Sequence, residues 1–234
     1  MNLMILIFAQ RELILNNRII NNIKKDFLIE FRNRSAINIS FAFAGITTLS
    51  VSLAAGGIPF TPVVHAIIFW IILFFSAMSG LAHIFIREEE EKNSLFLSLY
   101  YSPEEIYLSK LIFNIILFLS ISVIVTALYL FFLQVLPVYL FLFFLTVVSG
   151  SFAIASVTTI LGAMVSKAGS GSSLFTVISF PVLLPVLWTA ISLTTVSIEG
   201  IGIPEYRNII FLLAFSGVIV SVSYLCFKFI WTEI

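Results

Sequence analysis

Long uncharged tracts alternate with short charged ones along this chain. Two of the tracts, Ser35 to Ile86 and Leu111 to Ser166, each far exceed the ~20 apolar residues that one helix needs to cross a bilayer. Breaks at glycine, proline and polar residues divide the sequence into six expected crossings: Ile37 to Ala55, Val63 to Ile86, Leu111 to Leu133, Val138 to Val165, Leu174 to Thr195 and Asn208 to Ile230. Gly56-Gly57-Ile58-Pro59-Phe60-Thr61-Pro62 predicts a tight turn between the first two. Gln134 to Pro137 divides the third from the fourth, and Ser166 to Ser173 is a short polar link before the fifth. The expected fold is an all-α polytopic membrane protein, with a segment 1–34 ahead of a six-helix membrane domain over 35–234.

Between the two tracts lies a charged island, Arg87 to Lys110. Past Ser35 only fifteen charged residues remain, and nine of them fall here: Arg87, Glu88, Glu89, Glu90, Glu91, Lys92, Glu104, Glu105 and Lys110. Ser102-Pro103-Glu104-Glu105 reads as a helix start, with serine as N-cap, proline at the first helical position and Glu105 closing a capping box. A continuous helix is therefore expected from Pro103 into the third crossing. The preceding Asn93 to Tyr101 carries Leu95, Phe96, Leu97, Leu99, Tyr100 and Tyr101, too apolar for a solvated loop and too short to cross. Such a segment lies on the headgroups or in a groove of a soluble partner.

At the N-terminus, MNLMILIFAQ lacks the basic region and the cleavage site of a signal peptide and is expected to be retained. From Ile23, the run IKKDFLIEFRNR places Ile23, Phe27, Leu28 and Phe31 on one face. Lys24, Lys25, Glu30, Arg32 and Arg34 surround the rest, which predicts a basic amphipathic helix in the membrane surface. As a plain anchor it would contact lipid only; as an elbow it would pass motion to the first crossing.

Composition agrees with the pattern: 60% hydrophobic residues, 10% charged and a mean hydropathy of +1.14 exclude an ordinary soluble domain. The zero net charge hides an asymmetry. With both termini inside, eleven of the twelve Lys and Arg lie on the cytoplasmic side, Arg207 being the exception. The single cysteine, Cys226, excludes a disulfide framework and a thiolate metal site.

Candidate chemistry within the crossings is sparse. His65 and His83, near opposite ends of the second crossing, are the only ionisable side chains expected there, so a proton or ion relay is missing. They could ligate haem or a metal, but isolated histidines in lipid more often pack helices. No P-loop occurs; Gly169-Ser170-Gly171-Ser172-Ser173 lacks the lysine, so ATP must be bound by another chain. No paired carboxylates or nucleophile and base pair suggest an enzyme, and no nucleic-acid partner is expected. Ser151, Ala155, Thr159 and Ala163 form a small-residue stripe at i, i+4 spacing, read as helix packing or, alternatively, as a dimer seam. Pro181 and Pro185 predict a helix kink in the fifth crossing.

The order of elements resembles the ABC-2 type permeases: a basic elbow, two crossings, a coupling segment ending in Ser102-Pro103, Lys110, and four further crossings. It is most similar to the haem exporter protein B (CcmB) family of cytochrome c maturation. The resemblance rests on Ser102-Pro103 through Leu108-Ser109-Lys110-Leu111-Ile112-Phe113-Asn114, on Ser166-Lys167-Ala168, and on Ser179-Phe180-Pro181-Val182-Leu183-Leu184-Pro185-Val186-Leu187. It implies a non-catalytic permease subunit of the bacterial inner membrane, dimeric, with haem as the handled ligand. The implied partners are a cytoplasmic ABC ATPase, a haem-handling membrane subunit and, indirectly, a periplasmic haem chaperone. Asn93-Ser94-Leu95-Phe96 departs from the Gly-Thr-Leu-Glu form of ABC-2 coupling segments. In the expected coupling surface Leu95, Phe96, Leu99 and Tyr100 are the anchors. Glu88 to Glu91 with Glu104 and Glu105 form the polar rim, Pro103 starts the transmitting helix, and Lys110 marks the membrane boundary. Two alternatives remain open on sequence: an ABC-2 exporter of lipid, glycan or drug, and a non-conducting subunit that remodels a haem-handling partner.

Overall fold

A computed structural model describes residues 18–32, 35–90, 97, 99–167, 172–201 and 206–232, with the side chains of 35–37, 79–90, 172–174 and 232 outside the description. Among these residues the fold is wholly helical: α1 (residues 18–32), α2 (Ser35–Ala55), α3 (Pro62–Glu90), α4 (Pro103–Leu133), α5 (Leu140–Lys167), α6 (Ser172–Glu199) and α7 (Tyr206–Thr232). Five of them, α2 and α4 to α7, are long and apolar enough to cross a membrane. In α3 the described apolar part is Pro62–Met78, within a helix of 29 residues.

The breaks follow local chemistry. Gly56 and Gly57 take φ of 56° and 82°, a left-handed turn that only glycine adopts without strain, and so end α2. Gln134 caps α4 in the left-handed region at φ 53°, ψ 37°.

The centre of the bundle is α5, which packs on α3, α4, α6 and α7. Small residues let these neighbours approach, and most side chains of α5 are buried. Three of its buried hydroxyls donate inside the helix: Thr146, Thr158 and Thr159 donate to the carbonyls of Leu142, Ile154 and Ala155 at 2.6–2.8 Å. These three hydroxyls are thus satisfied without water. An aromatic cluster fills the space between α3, α4 and α5, with Phe69 against Trp70, Tyr129 and Phe143 at 5.3–5.7 Å between ring centroids.

Candidate functional site

The start of α4 is built as its sequence dictates. Ser102 sits in extended conformation, its Oγ accepts from Glu105 N at 3.3 Å, and the Glu105 carboxylate accepts from Ser102 N at 2.8 Å, with Pro103 in the first turn. Two orphan donors of the helix start, Ser102 N and Glu105 N, are satisfied, and Pro103 has none to satisfy, so α4 is fixed from its first residue. Ser102→Ala removes one half of this box and is expected to cost about 0.5–2 kcal/mol, read as a lower thermal midpoint of the purified protein. From sequence, Glu105 belongs to the polar rim. The structure corrects this: capping and the 3.9 Å approach of Arg18 draw its carboxylate inward, leaving the residue 3% exposed. Glu104 stays half-buried and lines a cleft of about 550 Å³ with Ile19, Leu108, Tyr224 and Lys228.

One turn before the cap, the chain is held by Leu97, which is buried, and by Tyr101, packed on the core. Tyr101 N donates to Leu97 O at 2.9 Å. Leu99 and Tyr100 instead point out, 79% and 72% exposed. Glu88, Glu89 and Glu90 belong to the last turn of α3 by backbone. Their side chains, like Glu91, Leu95, Phe96 and His83, lie outside the described residues.

The elbow α1 differs from its sequence expectation in where it begins and in which face it offers the bundle. It is already helical at residue 18, the first described residue, and the stripe turned inward is polar: Asn22, Asp26 and Glu30 are buried, while Leu28 and Phe31 remain exposed. The reason lies on α4. Asn22 Nδ2 donates to Ser109 Oγ at 2.6 Å, and Asp26 Oδ1 accepts from Lys110 Nζ at 3.0 Å, with Lys25 Nζ at 3.2 Å. Phe27 packs edge-on against Phe113, with ring centroids 4.8 Å apart. Lys110 is wholly buried and bound to Asp26. The pair lies just ahead of the expected third crossing, which begins at Leu111, so within the crossings His65 and His83 remain the expected ionisable side chains. A buried charge persists only when paired and hydrogen-bonded, so α1 and α4 are joined where separation would expose both ions to an apolar surface.

The same end is tied to two further helices. Lys167, in the last turn of α5, lies 4.5 Å above the Trp231 ring of α7. Phe227 stacks on Trp231 and contacts Tyr107 of α4, both at 5.4 Å.

The stripe Ser151, Ala155, Thr159 and Ala163 is buried inside the chain, Ser151 bonding Ser122 of α4 at 2.7 Å and Thr159 accepting from Asn114 at 2.9 Å. It is therefore not available as a seam for a second copy. Pro181 and Pro185 lie on the exposed side of α6 and do not end it. At the opposite end of the bundle His65 is buried, its Nδ1 3.1 Å from the Tyr129 hydroxyl. Sequence reasoning missed Asn22, Asp26 and Ser109. The available signal was the four-residue spacing of Asn22, Asp26 and Glu30, which is one helical stripe.

Long apolar helices around a buried central one, with a capped helix start behind an exposed apolar pair, define a multi-pass membrane component with a surface outside the apolar bundle. A family model described as CcmB protein matches residues 17–229, and the chain belongs to the CcmB family. Membership makes it a permease-type membrane component of a haem-export ABC system in cytochrome c-type biogenesis. No curated protein matches the chain.

Proposed function

We propose that this chain is the permease subunit on which a separate cytoplasmic ATPase acts, and that Leu99 and Tyr100 are the docking point. The observation that carries the reading is their exposure one turn before a capped helix of 31 residues. At 1.5 Å per residue α4 is about 45 Å long, against an apolar bilayer core of about 30 Å, so its first turns stand clear of the hydrocarbon. A push on Tyr100 enters that rigid helix directly, and the Asp26–Lys110 pair carries it into α1. Glu104 supplies polar rim. In this reading both termini face the cytoplasm of a bacterium with an inner membrane, α3 also crosses and brings the crossings to six, and the subunit is a non-catalytic member of a dimer. A haem-handling membrane subunit stands beside it, and a periplasmic haem chaperone receives the haem.

Within one chain the bundle centre is filled by Phe69, Trp70, Phe118 and Phe143. This favours a subunit that drives a haem-handling partner over one that threads haem between its own helices. Leu99→Glu or Tyr100→Glu is expected to abolish most co-purification of the ATPase while the mutant still accumulates in the membrane. Undiminished recovery of the complex sinks the docking surface. Haem crosslinked among the side chains of the bundle centre would refute the filled-core reading.

A further inference from the structure

His65 lies in the first turn of α3, directly after the Gly56 to Thr61 turn, and its surroundings fix its chemistry. Tyr129 donates its one hydroxyl proton to the backbone carbonyl of His65, at 3.0 Å. The second contact of that hydroxyl, with His65 Nδ1 at 3.1 Å, must therefore be donated by the imidazole. Nδ1 carries the proton, and Nε2 is left with its lone pair. The ring edge-packs on Phe60 at 5.5 Å and lines a pocket of about 360 Å³, open on one side, together with Ser52, Gly57, Phe132 and Gln134.

An imidazole oriented through its Nδ1–H and offering Nε2 has the arrangement of a metal-ligating histidine with its outer partner in place. A bare zinc or similar cation needs three or four protein donors. The pocket has one strong donor, and among the described residues no group of three His, Cys, Asp or Glu could hold a metal ion. An iron porphyrin brings four nitrogens of its own and asks the protein for only one or two axial ligands. The walls are mixed: Ile58, Phe60, Phe132 and Val135 offer apolar and aromatic surface to a flat macrocycle, beside the polar groups of Ser52 and Gln134.

We infer that His65, held by Tyr129, is an axial ligand for haem iron at the end of the bundle opposite the elbow. The identity of the ligand rests on the proposed haem-handling role; the geometry of the donor does not. One face of the ring seats against the pocket, and the other, on its open side, is left for a second ligand from a partner chain. The handled haem then meets this subunit at its rim, in keeping with a filled bundle centre.

The test is titration of ferric haem into the full-length protein in lipid nanodiscs. Saturable binding with a histidine-ligated Soret spectrum is expected. His65→Gly should lose that spectrum and free imidazole should restore it, which separates loss of the ligand from misfolding. Tyr129→Phe should weaken binding about 10-fold or more, the usual cost of losing an outer partner, while His83→Ala leaves it unchanged. A His65→Gly protein with the wild-type spectrum and affinity overturns the assignment. So does wild-type protein that takes up no more haem than empty nanodiscs, or Zn²⁺ alone retained through His65. ATPase co-purification is scored separately: a protein that keeps the ATPase but fails to bind haem removes this site and leaves the coupling surface standing.

Discussion

Lys110→Met is expected to lose about 3–5 kcal/mol of stability, the usual cost of stripping one partner from a buried ion pair. The prediction follows from the burial of both ions: Lys110 is fully enclosed and Asp26 is 4% exposed, so water cannot replace either partner. Lys25 at 3.2 Å still reaches Asp26, which places the loss toward the lower end of that range. Asp26→Leu alone should be severe for the complementary reason, because the ammonium of Lys110 then loses its 3.0 Å carboxylate contact. The double substitution Asp26→Leu with Lys110→Met removes both charges and should recover much of the stability lost in either single variant. Thermal unfolding of the detergent-purified proteins measures this coupling, and additive losses in the double variant would show that the pair does not join α1 to α4. Function should separate from stability in the same set. If the pair transmits motion, the double variant folds and binds the ATPase, yet haem delivery falls.

What the sequence made legible was local. The Ser102 cap, the glycine turn after α2 and the continuity of α4 from Pro103 are each written within a few neighbouring residues, and all three are present. Helix ends fall within a few residues of their expected places because Gly, Pro and polar clusters mark where an apolar helix must stop. The inward face of α1 was not legible in this way. Helical periodicity shows that Ile23, Phe27, Leu28 and Phe31 lie apart from the charges, but not which side meets lipid and which meets protein. That choice is made by Ser109 and Lys110, which are distant in sequence from Asn22 and Asp26. The same holds for His65 with Tyr129 and for Trp70 with Thr194, whose Oγ1 accepts from the indole Nε1 at 2.8 Å. Such pairs join residues 64 and 124 positions apart and leave no periodic signal. Lys110 was singled out from sequence as a boundary residue, yet nothing local to it announces the buried carboxylate on α1.

Gly150→Ala should be among the most damaging single-methyl additions in the protein. Trp70 of α3 is wholly buried and held by its bond to Thr194 on α6, and its ring lies over α5 at Gly150. A Cβ at that position would stand 2.3 Å from Trp70 Cη2, far inside van der Waals contact. The ring cannot swing aside cheaply, because Phe69 packs against it at 5.7 Å and any rotation breaks the indole hydrogen bond. Relief has to come from separating α3 and α5 or from leaving Thr194 unpaired. Overpacking of this kind costs about 1–3 kcal/mol or more, and the loss of a buried hydrogen bond adds to it. The expected outcome is a marked fall in thermal midpoint and in yield from the membrane. Trp70→Phe, which shortens the ring at the point of collision, should relieve much of the added damage when combined with Gly150→Ala, although it forfeits the Thr194 bond when made alone. A Gly150→Ala protein as stable as the parent would mean that α3 and α5 are not held at the close approach set by this glycine.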